Sequence, residues 1–333
     1  MKLRNVLAGA VGAVGLTALS NRVLASKADD LDPALPVGDQ ETYRWRGFDI
    51  GYTEAGDPDD PDLVAFHGVN AAASSHEFRP IVGHLAEDYH VLVPDLPGFG
   101  HSDRPPLLYS ASLYETFVAD FLADTSEDAT VVASGLTGSY AAGAAREADV
   151  DSLVLACPTD HSMGDRSVLR RSLLRSPLVG EALFNIVVSK RSMRYFHADH
   201  GYYDMDNLTE ETLDYEWQSG HQPGARFAPA SFVSGFLDPE EDLADVLASL
   251  AVETTLVWGR DASVTPLSFG RELADAGNAR LIVFDEAKLL PYVEHPEQFV
   301  AVVGGEYDDV EGDGWGTHED VDEAVDIEID GEE

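Results

Sequence analysis

Seven short apolar runs, separated by turns and helical patterns, constrain this chain more than any other feature. Phe48–Thr53 alternates in type like a half-buried strand. Leu63–Phe66, His90–Pro94, Ala129–Ala133, Ser152–Ala156, Thr254–Trp258 and Arg280–Phe284 are short and mostly apolar, as strands buried on both faces are. Helical stretches such as Leu113–Leu122 and Leu136–Glu147 lie between them. Strands that alternate with helices predict an α/β fold, with a mostly parallel sheet and helices on both faces. Ligands of such sheets bind at the carboxyl ends of the strands.

The alternation stops between about Asp160 and Asp238. Helical patches at Val168–Leu174, Leu178–Val188 and Thr209–Gln218 replace it, with many aromatic residues, among them Tyr195, Tyr202, Tyr215, Trp217, Phe227 and Phe236. Residues 160–238 are therefore expected to be a helical cap, most of whose rings pack it onto the body. The core is expected in residues 41–159 and 239–304.

The two ends differ from the rest. Lys2 and Arg4 precede the apolar run Val6–Leu19. That is the pattern of an export signal or an uncleaved anchor, and it is short for a spanning helix, which needs roughly 17–25 residues. Residues 1–25 are read as this signal or anchor segment, which makes the chain membrane-associated or exported; the alternative is a cytoplasmic protein. Residues 26–40 are read as a polar linker. From Glu306 to Glu333, 14 of 28 residues are acidic and none is Lys or Arg. Residues 305–333 are expected to be a disordered tail.

The charge balance excludes one class of partner. The chain has 61 acidic against 21 basic side chains, a formal net charge of −40. Nucleic acid needs the opposite sign. Such self-repulsion is screened in molar salt, where the Debye length is about 3 Å. The composition resembles that of proteins from halophilic archaea. The one cysteine, Cys157, cannot form an internal disulfide. No Cys/His cluster has metal-ligand spacing, and no metal or cofactor is expected. Oligomeric state is not legible.

Four motifs in order carry a family resemblance. Phe66-His67-Gly68-Val69 follows the third-strand position. Pro94-Asp95-Leu96-Pro97-Gly98-Phe99-Gly100-His101-Ser102-Asp103 follows the fourth. Trp258-Gly259-Arg260-Asp261-Ala262 follows the seventh, and Leu290 to Phe299 (Leu-Pro-Tyr-Val-Glu-His-Pro-Glu-Gln-Phe) the eighth. Together they resemble the α/β-hydrolase superfamily, of the type with a helical cap. The resemblance spans about residues 41–304 and implies an eight-stranded, mostly parallel sheet.

It also implies a catalytic triad, and here the chain departs from the pattern. A serine on a sharp strand-to-helix turn attacks a carbonyl, a histidine takes its proton and a carboxylate orients the histidine. The elbow reads Ala133-Ser134-Gly135-Leu136-Thr137-Gly138, which aligns Gly135 with the serine. Counting three residues from Gly259 aligns Ala262 with the acid. Counting two residues before Pro291 aligns Leu289 with the histidine. Ser134, Asp261, Asp160 and His295 are the fallback parts, with His67, His101 and His161 as histidines near the pocket mouth. A one-residue offset at a strand end turns a side chain to the other face, so the Ser134 hydroxyl is expected to point away from the oxyanion donors. The turn His67-Gly68-Val69-Asn70 and Leu136 are read as those donors.

Two readings follow. The first is a non-catalytic protein that binds a small apolar or carbonyl-bearing molecule in a capped pocket. The second is an active hydrolase, of ester-type or related substrate, with a displaced nucleophile and base.

Overall fold

A computed structural model describes residues 16–305. The apolar run Val6–Leu19 lies mostly, and the acidic tail almost wholly, outside the described residues. Among those residues no helix is long and apolar enough to cross a membrane.

Eight strands form one sheet: β1 (Asp39–Trp45), β2 (Phe48–Ala55), β3 (Asp62–Phe66), β4 (His90–Pro94), β5 (Ala129–Ser134), β6 (Val150–Ala156), β7 (Glu253–Gly259) and β8 (Arg280–Phe284). Their order is β1-β2-β4-β3-β5-β6-β7-β8. β1 pairs with β2, and β2 with β4, antiparallel; every other pair is parallel. β1 escapes sequence reading because most of it is an exposed polar edge. It is joined to β2 by Arg46-Gly47, both with positive φ (44° and 96°), the geometry of a two-residue hairpin turn.

Each central strand serves two cores. Val64 and Phe66 of β3 join one apolar cluster while Leu63 and Ala65 join the other, as the two-residue period of a strand demands. Phe117 and Phe121 of α2 (Ala111–Thr125) and Tyr140 of α3 (Thr137–Ala144) fill the first cluster. Phe78, Ile81, Val82 of α1 (Val82–Leu85), Tyr292 of α11 (Pro291–Glu294) and Phe299 of α12 (Pro296–Val303) fill the second.

Between β6 and β7 the chain is helical: α4 (Val168–Arg175), α5 (Val179–Val187), α6 (Lys190–Phe196), α7 (Glu210–Gly220), α8 (Phe227–Phe232) and α9 (Leu243–Ser249). Helix α10 (Leu267–Gly277) follows β7.

The linker reading of residues 26–40 needs correction. Ala34 and Leu35 are buried in the second core, and the Asp29 backbone bonds both Gln218 and Gln222 of the cap region. The segment is a strap across body and cap. Leu31, which packs against the same core, and Ala34 and Leu35 are spaced among aspartates and prolines and leave no periodic signal, so only tertiary packing reveals the strap.

Candidate active site

β5 ends where the sheet opens toward the cap. Gly135 takes the left-handed backbone with φ +54°, and its N–H donates to Ala156 O at 3.0 Å. A Cβ built on it would meet no atom within 4 Å. Glycine adopts this conformation without the steric cost of a side chain. Helix α3 starts directly behind. The backbone N–H groups of Leu136 and Val69 have no acceptor among the described residues. Gly68 N–H, by contrast, is taken by Glu77 Oε1 at 2.8 Å. Asn70 folds onto its own turn, accepting from Ala72 N at 2.8 Å. Of the expected oxyanion turn, Val69 and Leu136 thus keep open donors, and Gly68 does not.

Ser134 faces the other way. Val131 and Ala133 point into the first core and Val132 into the second, and Ser134 follows Val132. Its buried hydroxyl lies 2.9 Å from Tyr292 Oη, and Tyr292 Oη–H donates to Glu77 Oε1 at 2.9 Å. With the carboxylate ionised, both hydrogen bonds run one way, from Ser134 through Tyr292 to Glu77. Burial pushes the Glu77 carboxyl up to about 7, although the Gly68 N–H, Tyr292 and Ser134 hydrogen bonds favour its charged form. Burial also holds the Tyr292 phenol well above its ordinary value.

The remaining sequence candidates are scattered. His67 is fully buried and structural: Leu96 N donates to its Nε2 at 3.0 Å, so the proton sits on Nδ1, which donates to Gly68 O at 2.7 Å. Burial lowers its pKa and keeps it neutral. His101 pairs through Nδ1 with Asp95 Oδ2 at 3.2 Å. Burial opposes its charge, but Asp95 outweighs this and raises its pKa. Asp95 in turn accepts from Ser75 N and His101 N, both at 2.7 Å. A Cβ at Gly100 would come 2.0 Å from that carboxyl carbon, which is why the turn carries glycine there.

Asp160 is buried and bound to His161 Nδ1 and to Leu243 N, at the start of α9. Asp261 is exposed, with its N–H on Ala287 O at 3.0 Å. His295 packs edge-on against Phe284 at 5.6 Å and its buried Nε2 has no partner. The fallback constellation of Ser134 with Asp261 or Asp160 and His295 is therefore not assembled. Ala262 is buried and Leu289 half-buried, and both belong to the first apolar core. Cys157 is buried, and burial pushes its thiol up to about 12.

A cleft of about 190 Å³ opens beside Glu77, between the body and the cap. Its body wall includes Asn70, His76 and Leu290; its cap wall includes His197, Tyr202 and Glu216. His76 stacks on Tyr215 at 4.3 Å, its Nε2 is unpaired, and burial together with the Arg79 charge lowers its pKa to about 4. His197 Nε2 lies 2.8 Å from both Glu216 oxygens. No group of His, Cys, Asp and Glu among the described residues has the geometry of a metal site. The cleft differs from the expected pocket around Gly135: neither Gly135 nor Leu289 lines it.

Sequence reasoning missed Glu77 and Tyr292. Tyr292 stood inside a recognised motif, yet nothing in its spacing indicated a serine across the sheet. Glu77 sits in a single 3-10 turn, Ser75–Phe78, whose burial only the assembled fold reveals.

The family model of the α/β hydrolase family matches residues 63–302. This chain belongs to the α/β hydrolase family. A 2-hydroxymuconate semialdehyde hydrolase from Pseudomonas sp. (strain CF600) is 28% identical over 73% of this chain and 85% of its own. A 2-hydroxy-6-oxo-6-phenylhexa-2,4-dienoate hydrolase from Comamonas testosteroni is 26% identical over 76% of this chain and 88% of its own. Among solved structures, a serine hydrolase involved in carbazole degradation superposes with a TM-score of 0.66 at 17% identity, over 82% of this chain and 99% of its own. The structural likeness fixes the hydrolase fold. These relatives are hydrolases by name.

Proposed function

We propose that this family member is a hydrolase of a carbonyl-bearing small molecule, with Ser134 as a displaced nucleophile and Glu77, reached through Tyr292, as its proton acceptor. The observation that carries this reading is the one-way hydrogen-bond chain Ser134–Tyr292–Glu77, at 2.9 Å for each link. A carboxyl with a pKa near 7 matches the requirement for a base that works near neutrality. Ser134 Oγ bonds to the substrate carbonyl carbon, its proton moves to Tyr292, and the Tyr292 proton moves to Glu77. Collapse of the tetrahedral oxyanion breaks the bond to the leaving group, which takes the proton back. Water then cleaves the acyl-serine by the same route. The names of the relatives, a muconate semialdehyde hydrolase and an oxo-dienoate hydrolase, support a carbonyl-bearing unsaturated acid as substrate class, and the net charge of −40 supports a high-salt setting.

A second reading, binding without catalysis, is favoured by one observation. The Ser134 hydroxyl lies in the second core, whereas Leu136, beside the open N–H donors, lies in the first. Gly135 and the free N–H groups of Val69 and Leu136 would then seat a carbonyl or anion.

One experiment separates the two. The full chain in molar salt is treated with a fluorophosphonate and assayed on nitrophenyl esters and a ring-cleavage dienoate. Labelling at Ser134, turnover lost in Ser134→Ala, and kcat/KM rising through a pKa near 7 support the hydrolase. No label and no turnover on any of these substrates overturn it in favour of the binder.

A further inference from the structure

Helix α4 is inside out. A surface helix normally turns its apolar stripe to the core. Here Val168, Leu169 and Leu173 are 64, 81 and 46% exposed, and no residue of the helix is buried. Arg171 and Arg175 face inward instead, while the exposed Arg170 donates to the Val233 and Asp165 carbonyls. The Arg171 guanidinium lies over the Phe236 ring at 3.4 Å, beside Arg166 at 5.1 Å. Arg175 lies over Phe227 and donates to the Pro106 and Leu107 carbonyls.

The apolar surface continues onto its neighbours. Helix α5 packs against α4 and exposes Val179, Leu183 and Ile186. Residues 16–25 are helical and expose Leu16, Leu19 and Val23. Asn21, buried, ties that helix to the cap through Leu178 O at 3.1 Å and Asn185 at 3.2 Å.

The charge here is opposite to that of the rest of the molecule. Residues 166–194 contain seven basic side chains and one acidic, Glu181, in a chain of net charge −40. Lys190 and Arg194 are paired with Asp214 and Glu210. Arg166, Arg170, Arg171, Arg175 and Arg191 have no carboxylate partner among the described residues. Apolar side chains flanked by exposed arginines without a carboxylate partner, Arg170 and Arg191, match the interface of an anionic bilayer, where leucines enter the acyl boundary and arginines meet the headgroup phosphates.

We propose that the α4–α5 face of the cap, continuous with the helix at residues 16–25, docks on an anionic lipid surface. The proposal is independent of the catalytic reading. The full chain is sedimented with phosphatidylglycerol vesicles and with phosphatidylcholine vesicles in low salt. Binding to the first and not the second is expected. Leu169→Glu/Leu173→Glu, with the N-terminal run intact, should weaken it about tenfold, a loss of about 1.4 kcal/mol. Arg170→Gln/Arg191→Gln should flatten its salt dependence. Leu169, Leu173 and Arg191 are solvent-exposed, and Arg170 gives up two bonds to the Val233 and Asp165 carbonyls, so melting temperatures of the variants verify that they fold. Absent binding, or binding that the leucine pair leaves undiminished, overturns the proposal. So does a lipid-free dimer dissolved by the same leucine substitutions, which would make the face a contact between copies.

Discussion

Glu77→Gln tests the electrostatics of the site without requiring a substrate. Burial raises the Glu77 carboxyl from 4.5 to about 7 in the folded chain. The fold therefore holds the proton more tightly than the unfolded chain does. By linkage, stability is greatest below pH 4.5, falls as pH rises toward 7, and is flat above it. The interval is 7 − 4.5 = 2.5 pH units, and each unit is worth 1.36 kcal/mol, so the full effect is about 3 kcal/mol. The side-chain amide of the variant keeps an acceptor oxygen for Gly68 N and Tyr292 but does not titrate. Urea unfolding of both proteins across pH 4.5–9, at one high salt concentration, isolates this group, because the other carboxylates cancel in the difference. The variant is expected to gain on the native protein by about 3 kcal/mol as pH rises, reaching a plateau above pH 7. A difference independent of pH would mean that Glu77 titrates normally in the fold. A difference of opposite sign would mean that its hydrogen bonds outweigh desolvation. Either result removes the near-neutral base on which the proposed chemistry depends.

Two further outcomes follow from the same geometry. Gly135→Ser is expected to fold, since its Cβ meets nothing within 4 Å, at a cost of about 1 kcal/mol for a side chain at φ +54°. Its new hydroxyl should stay unlabelled by fluorophosphonate, because Leu289 supplies no base, and labelling at 135 with an unmodified Ser134 would refute that assignment. Cys157 should be silent to a disulfide-exchange reagent at pH 8 in the native protein and react fully after unfolding, since burial places its thiol near 12; rapid native reaction would show that the β6 end is open.

Much of the fold was legible because it rests on local chemistry. Runs such as Leu63–Phe66 and Ala129–Ala133 are buried on both faces, and burial on both faces writes itself into sequence as an unbroken apolar run. The Asp95 turn was legible because its glycines and aspartate serve one compact backbone knot. β1 was not, because an exposed edge strand needs no apolar pattern. The site divides in the same way. Sequence alone placed Gly135 at the end of β5 and turned Ser134 away from Leu136, since the two-residue period of a strand decides which face a side chain takes. It said nothing about what Ser134 would meet there. The hydroxyl reaches Tyr292, 158 residues away, and through it Glu77, across a second core that exists only when α11 and the Ser75–Phe78 turn pack on the same side of the sheet. The pKa of Glu77 is likewise a property of that packing, because desolvation depends on neighbours distant in sequence. The outward-facing leucines of α4 read along the chain as an ordinary amphipathic helix; only the tertiary structure shows which side of that helix faces solvent.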